Sequence, residues 1–406
     1  MRRAQLLILT LGLPWFAACA PRTVPPAADN DPPSFDRSSD PAVKAESAGL
    51  SPEELSALLP PPVAPQPCGM PEGIYEPGWP RTLAPVSNEE PDPLPPGAAT
   101  LAVLPDTQYY ARCQNRHLQA QSEWIEHERK ARNIKAVLTL GDLTDSNTDT
   151  EWQFFKQAIA PLDPSLPIVL TPGNHDYGEG GTANRRHTLF AKYFEPAFAR
   201  AAGALVETLD ATTLENAFYS IDLGRAKLGV LSLEWSPRDK TVAWANDVLR
   251  RHPKHRAIVV THAYLYSDDS RYDFAERGAK QAWNPRAYRT NSGVEAAHGA
   301  FDGEMLWQQL VKKHAGIFLV LSGHVLNDGT GQLTSQGDRG NTVHQILSNY
   351  QMLEEGGLGY LRLLELLPDG RGLHVKTYSP SLGLFATAPD QDFSLTISPP
   401  LWGGAR

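Results

Sequence analysis

A chain of 406 residues with 41% apolar side chains is long enough to bury a substantial core, as one large domain or two ordinary ones. Its formal net charge is -9 at pH 7 and no dense run of Lys and Arg occurs, so the electrostatic footprint of a nucleic-acid binder is missing. That balance does not exclude a small phosphorylated ligand.

The first residues read as an export signal: Arg2 and Arg3, an apolar run over 6–13, then Ala17, Ala18 and Cys19. The run is too short to span a bilayer. The small-small-Cys ending is similar to a bacterial lipoprotein cleavage site, with Cys19 as the lipid-bearing residue and Phe16 where Leu is usual. Plain cleavage near Ala20, leaving a soluble secreted protein, is the alternative. Residues 1–19 are therefore expected to be a signal peptide, and the remainder to work in the cell envelope or periplasm. Residues 20–98 carry more than half of the 35 prolines and little apolar periodicity beyond a short helical pattern at 52–59, and read as a largely disordered tether. Within it, 68–83, with Tyr75 and Trp79, is expected to pack against the domain that follows. Cys68 and Cys113 are expected to pair in an oxidising compartment.

From 99 to 397 the texture changes to that of a folded domain. Short apolar runs at 101–104, 136–140, 168–171, 257–260 and 317–321 suit strands buried on both faces, and further strands are expected at 228–233, 343–347, 360–367 and 373–378. Helical spacing joins Trp152, Phe155 and Ile159, then Val242, Ala245 and Leu249, then Leu306, Leu310 and Val311. The alternation predicts a layered α/β architecture with mixed sheets. Residues 264–301, poor in aliphatics, form a loop long enough to suggest function or disorder.

Five polar clusters follow five of these strands at their carboxyl ends: Asp106-Thr107-Gln108, Gly141 to Asp145, Gly173 to Asp176, Thr261-His262, and Ser322-Gly323-His324. Ligand sites in open α/β sheets form at that edge. Singly, each has a plain reading: Asp106 as a turn residue, His262 as a hydrogen-bonded histidine near a core, Thr144 or Asp145 as a helix cap. In order along one chain they resemble the calcineurin-like metallophosphoesterase superfamily, which includes purple acid phosphatases and many bacterial phosphodiesterases; this chain is similar to an exported bacterial member with an Asp-Thr-Gln first motif.

The resemblance implies a four-layer α/β/β/α fold, two packed mixed sheets flanked by helices, with two metal ions at the strand ends. Carried over by position, Asp142 would bridge the ions, Asn174, His262 and His324 would complete one site, and Asp106 would belong to the other. His175 would protonate the leaving oxygen or bond the phosphoryl group, with Asp176 orienting its ring. Two departures fall on the same site: Gln108 and Leu326 stand where the family usually has histidines. That leaves the partner site with Asp106, Asp142 and the amide oxygen of Gln108, with Asp145 where purple acid phosphatases have a tyrosine ligand and Asn327 and Asp328 just beyond Leu326; such an oxygen-rich site would favour Mn, Mg or Ca, and the imidazole site Zn, Mn or Fe, while Asn327 and Asp328 read equally as an ordinary turn.

The expected activity is hydrolysis of a phosphomonoester or phosphodiester by a metal-activated hydroxide. The alternative is a binding protein on a degenerate scaffold at the cell envelope. The expected partner is a small phosphorylated substrate, with no nucleic acid, membrane contact only through a lipid anchor on Cys19, and a monomeric state. Arg185, Arg186 and His187 could hold a phosphate or form a solvated helix face; Tyr109 and Tyr110 could stack on a base or simply pack; Asn349, Tyr350 and Gln351 could line the pocket.

Overall fold

The apolar runs form strands, and among them lie further strands that apolar periodicity does not mark. In the computed structural model, which describes residues 76, 78–291 and 299–402, the strands are β1 (Val86–Ser87), β2 (Ala99–Leu104), β3 (Ile134–Thr139), β4 (Ile168–Val169), β5 (Leu205–Thr208), β6 (Ala217–Asp222), β7 (Lys227–Leu233) and β8 (Arg256–Thr261). There follow β9 (Ile317–Ser322), β10 (Thr330–Gln336), β11 (Thr342–Ser348), β12 (Leu361–Leu366), β13 (Gly372–Ser379), β14 (Leu384–Ala386) and β15 (Phe393–Thr396). The longer helices are α1 (Gln108–Cys113), α2 (His117–Glu128), α3 (Asp149–Ala158), α4 (Asp239–Arg251) and α5 (Gly303–Gln309). Among the described residues no helix is long and apolar enough to cross a membrane.

The strands form two mixed sheets. One runs β1-β14-β13-β12-β2-β3-β4, with β15 on β13; the other runs β10-β11-β9-β8-β7-β6-β5. Parallel pairing of β2, β3 and β4 in the first sheet, and of β7, β8, β9 and β11 in the second, turns their carboxyl ends to one edge. Alternation along each strand divides the core. Val230, Ile258, Val260, Leu319 and Leu321 join the cluster that holds β2, β3 and the apolar faces of α2 and α3, while Leu231, Val259 and Val320 pack with Val242, Ala245 and Val248 of α4 and Leu306 of α5. The result is the helix, sheet, sheet, helix layering expected of the fold. Thr148 and Glu151 close a capping box at the start of α3, whose Trp152 and Phe155 are fully buried; truncating either to Ala would cost about 3–5 kcal/mol.

The signal peptide, Cys19, Cys68, Tyr75 and the helical pattern at 52–59 lie outside the described residues. The end of the proline-rich stretch corrects the expected boundary at 98. β1 pairs with β14, Trp79 and Leu83 pack on the cluster around Tyr350 and Met352, and Glu90 bonds Arg132 at 2.7 and 3.0 Å and Lys376 at 2.9 Å. Side-chain anchors, which need no apolar periodicity, hold this segment to the fold. Cys113 is disulfide-bonded.

Candidate metal centre

The five polar clusters meet at the common edge: Asp106 after β2, Asp142 after β3 and Asn174 to Asp176 after β4 from one sheet, His262 after β8 and His324 after β9 from the other. Two of these residues reach their places through backbone that L-residues rarely adopt, Asp142 at φ +50° and His324 at φ +77°, each at a cost of about 1–3 kcal/mol. Glycine makes the close approach possible. A Cβ on Gly173 would stand 2.1 Å from Asp142 Oδ1, and one on Gly323 would stand 2.0 Å from Asp106 Oδ1.

Four donor atoms converge. His262 Nε2 lies 3.1 Å from Asn174 Oδ1, 3.1 Å from Asp142 Oδ2 and 3.2 Å from His324 Nδ1, and the ligand atoms of Asp142, His262 and His324 all lie within 4.8 Å of one another. Each ring is fixed from behind: His262 Nδ1 meets Leu140 O at 2.8 Å and His324 Nε2 meets Trp283 O at 2.8 Å. Those carbonyls keep the inward nitrogens as acceptors when the rings are neutral, as ligation requires. Asn174 is fixed likewise, its Nδ2 donating to Gly181 O at 2.9 Å.

Beside them, Asp106 Oδ2 accepts from His324 N at 2.8 Å, whereas Asp106 Oδ1 and Gln108 Oε1 are buried without a partner. Gln108 Nε2 is 3.4 Å from Asp142 Oδ2. Buried oxygens left unpaired are costly, and these two fit hard-cation donors. The electrostatics agree. Burial lifts the Asp106 carboxyl to about 7, with Asp142 adding to the effect against the pull of His262. Burial opposes charge on His262 too, but Asp142 and Asp106 outweigh it and raise the ring to about 9. Burial and the neighbouring His262 push His324 down to about 3. The proton His262 holds among these oxygens is a charge that a bound ion would replace.

His175 stands beside Asp142, its Nε2 4.0 Å from Asp142 Oδ2 and its backbone N–H donating to Asp142 Oδ1 at 2.9 Å. Its orientation corrects the role expected of Asp176. His175 Nδ1 bonds Asp145 O at 2.7 Å and lies 3.3 Å from Asp145 Oδ1. The Asp176 carboxylate instead accepts from the backbone N–H groups of Gly173, Leu143 and Thr144 and from the Thr144 hydroxyl, so it ties the β3 and β4 loops together. A residue next in sequence to His175 points away on this tight turn, and Asp145, thirty residues earlier, takes the orienting position.

The long loop after His262 covers the site. Besides the Trp283 carbonyl, Tyr288 and Tyr272 face the His324 ring, and Trp235 faces both His324 and His262. Periodicity carried no sign of these aromatic walls. Arg186 is neither phosphate-binding nor a solvated face: it donates to Trp235 O, Ser236 O and Asn291 Oδ1 and lies 3.6 Å from the buried Glu234, while Arg185 and His187 are exposed. Asn327 donates to Ser267 Oγ, 60 residues away in the chain, and Asp328 accepts from Thr330 N as in a turn. Leu326 is buried and supplies no donor. Tyr110 accepts from Gly359 N and Tyr350 bonds Thr377, Gln391 and Arg362, so both pack. Asn349 and Gln351 are buried just past β11, with Asn349 Oδ1 accepting from Gln351 N.

Residues 99–328 match the family model described as calcineurin-like phosphoesterase. The uncharacterised protein YvnB of Bacillus subtilis is 30% identical over 305 residues, a match that takes in 71% of this chain and 20% of YvnB. The chain thus spans about one fifth of the length of that curated relative. Among solved structures, a dimetal phosphatase from Danio rerio aligns with 74% of this chain and 99% of its own at 13% identity and a TM-score of 0.43. An NAD nucleotidase from Haemophilus influenzae aligns with 76% of this chain and 54% of its own at 11% identity and a TM-score of 0.32.

Proposed function

The chain belongs to the calcineurin-like phosphoesterase family, and on that premise we propose that it hydrolyses phosphoric esters, monoester or diester, at a centre of two metal ions. The observation that carries the reading is the convergence of Asp142, Asn174, His262 and His324 donor atoms around His262 Nε2, beside the unpartnered oxygens of Asp106 and Gln108. The first four would hold one ion, of the kind that accepts imidazole, such as Zn, Mn or Fe; Asp106 and Gln108, with Asp142 shared, would hold the other through oxygen alone, which suits Mn, Mg or Ca. The chemistry such a pair supplies when bound is activation of water and polarisation of the phosphoryl group.

His175 acts in this reading as the proton donor to the leaving oxygen. The Asp145 carbonyl accepts a hydrogen bond from Nδ1–H and leaves Nε2 as the inward atom. Burial opposes charge on the ring, but the carboxylates of Asp142 and Asp145 outweigh it and raise the ring to about 9, a pull that ions held by Asp142 would reduce. Gln108 and Leu326, without the family's usual histidines, motivate the other reading, a binding protein that has lost one ion. The placement of His175, which a binder does not need, favours the enzyme. Export forms part of the proposal, supported by the disulfide at Cys113, a bond that persists in oxidising compartments.

The test is turnover of nitrophenyl phosphate and bis-nitrophenyl phosphate after chelation and return of each metal. Activity restored by an ion and lost in Asn174→Ala and His262→Ala is expected. No activity with any metal would sink the proposal, and a protein holding a single ion would then favour the binder.

A further inference from the structure

A cavity of about 580 Å³, a volume usual for small-ligand pockets, opens where β8 and β9 begin. Both strands run six residues from there before they reach His262 and His324, so it lies roughly 20 Å from the metal centre at about 3.3 Å per residue. Three parts of the fold line it with basic side chains: Arg250 and His252 at the end of α4, with His255 just beyond; Lys313 and His314 before β9; and Arg339 in the turn between β10 and β11. Among the described residues no Asp or Glu lines it, in a chain whose formal net charge is -9. Cations in the last turn of a helix complement its dipole, which accounts for Arg250 and His252 but not for Lys313, His314 and Arg339. Arg250 pairs with Asp247, and His252 lies 3.5 Å from Glu207 on β5. The exposed side chains of Lys313 and Arg339 have no hydrogen-bond or ion-pair partner among the described residues. The walls are braced. Asn246 Nδ2 donates to the Val242 and Gln309 carbonyls, which leaves Oδ1 to accept from His314 Nε2 at 2.8 Å, and Ser220 meets His255 Nε2 at 2.9 Å. Burial lowers the pKa of both rings, helped by Arg250 and Lys313 at His314 and by His252 and Lys227 at His255. The cations thus already repel charge on the rings, a repulsion that an anion would relieve.

We propose that this cavity is a second binding site, separate from the metal centre, for a multivalent oxyanion carrying two or more phosphate or sulfate groups, with Lys313 and Arg339 as its principal donors. Guanidinium and ammonium groups give oxyanions charge-assisted bonds, about twice as strong as neutral ones. Donors drawn from three parts of the fold around one cavity suit a ligand with more than one anionic group. The site stands whether or not the chain hydrolyses phosphoric esters.

The experiment is calorimetry on the full chain, loaded with metal ions and again after chelation and dialysis, with pyrophosphate and sulfate as probes. It compares the wild type with the double variant Lys313→Gln, Arg339→Gln, whose exposed positions leave the core untouched. Pyrophosphate should bind the chelated wild type, because the metal centre is not needed, and the double variant should bind it about tenfold or more weakly, the loss expected of bonds to charged groups. Sulfate, with one anionic group, should bind more weakly than pyrophosphate. Its affinity should rise as pH falls below 6.5, the ordinary value for histidine, where His255 and His314 take up protons. Pyrophosphate that binds the loaded protein alone, or binds wild type and double variant equally, overturns the site. Sulfate as tight as pyrophosphate overturns its preference for a multivalent ligand.

Discussion

Asp142 is fully buried and still ionised, because its oxygens face His262 at 3.1 Å, His175 at 4.0 Å and the His175 amide at 2.9 Å. Burial alone would push its carboxyl up; the two rings outweigh burial and hold it well below the usual carboxylate range. Asp106, with one oxygen unpartnered, moves the opposite way. The contrast predicts how ions are lost. Asp142→Asn should strip both, whereas Asp106→Asn should strip one and leave the ion on Asn174, His262 and His324; native mass spectrometry of the metal-loaded protein counts them, and loss of both ions in Asp106→Asn would refute this division of donors. His175→Gln should retain both ions and lower kcat by roughly 100-fold or more, the usual contribution of a positioned proton donor. A step needing protonated His175 fades as pH rises through the ring's pKa in the ion-loaded enzyme, so the alkaline limb of the kcat profile should disappear in His175→Gln.

At the scale of elements, the loops around the centre are tied by buried charge. Arg186, after β4, holds the Trp235 and Ser236 carbonyls and Asn291, and shares Glu234 with Arg238, whose Nε and Nη2 reach it at 3.0 and 2.6 Å. Burial would lift the Glu234 carboxyl, but Arg238 and Arg186 bring it below its ordinary 4.5. A depressed carboxyl stabilises the fold above its unfolded pKa, and that contribution fades as pH falls through the lower folded value. Glu234→Gln, which leaves two part-buried arginines short of an anion, should cost about 3–5 kcal/mol at pH 7. The gap to wild type in urea unfolding should narrow below pH 4.5; a gap that widened on acidification would contradict the assignment. None of this network was legible in the sequence, where Arg186 read as phosphate-binding or solvated, because its partners lie up to 105 residues away. The runs that became β2, β3, β8 and β9 were legible, since strands buried on both faces need continuous apolar residues, and the polar clusters at their ends marked the edge where they meet. α2 was not, because its buried face includes Gln121 and Ser122, whose side chains satisfy backbone carbonyls instead of forming an apolar stripe. β10, reading TGQLTSQ, alternates half-exposed and exposed side chains over most of its length and gave no run to find.

For the molecule as a whole, the proline-rich stretch was read by composition, and composition reports only what a segment can bury by itself. Residues 78–98 bury little, yet they carry one of the two anions that partner a lysine inside the domain. Lys376 is fully buried on β13, with Glu365 at 3.0 Å, Glu90 at 2.9 Å and the Asp92 carbonyl at 2.6 Å as its partners. Glu90 also answers Arg132, and although burial alone would lift the Glu90 carboxyl, Arg132 and Lys376 together lower it. Removing one member of such a cluster leaves a buried cation short of charge, a loss of about 3–5 kcal/mol for a fully buried pair. Glu90 is 19% exposed, so Glu90→Ala belongs at the lower end, about 3 kcal/mol. Glu90→Gln, which keeps an acceptor for both partners, should cost less. A chain begun at 99 loses β1 as well and should be less stable than Glu90→Ala. Urea unfolding of the three variants ranks them, and a chain begun at 99 that unfolds like the wild type would show that 78–98 rests on the domain without supporting it. In the expected ranking, residues 78–98 are a part of the fold, inside the stretch that composition alone read as a tether.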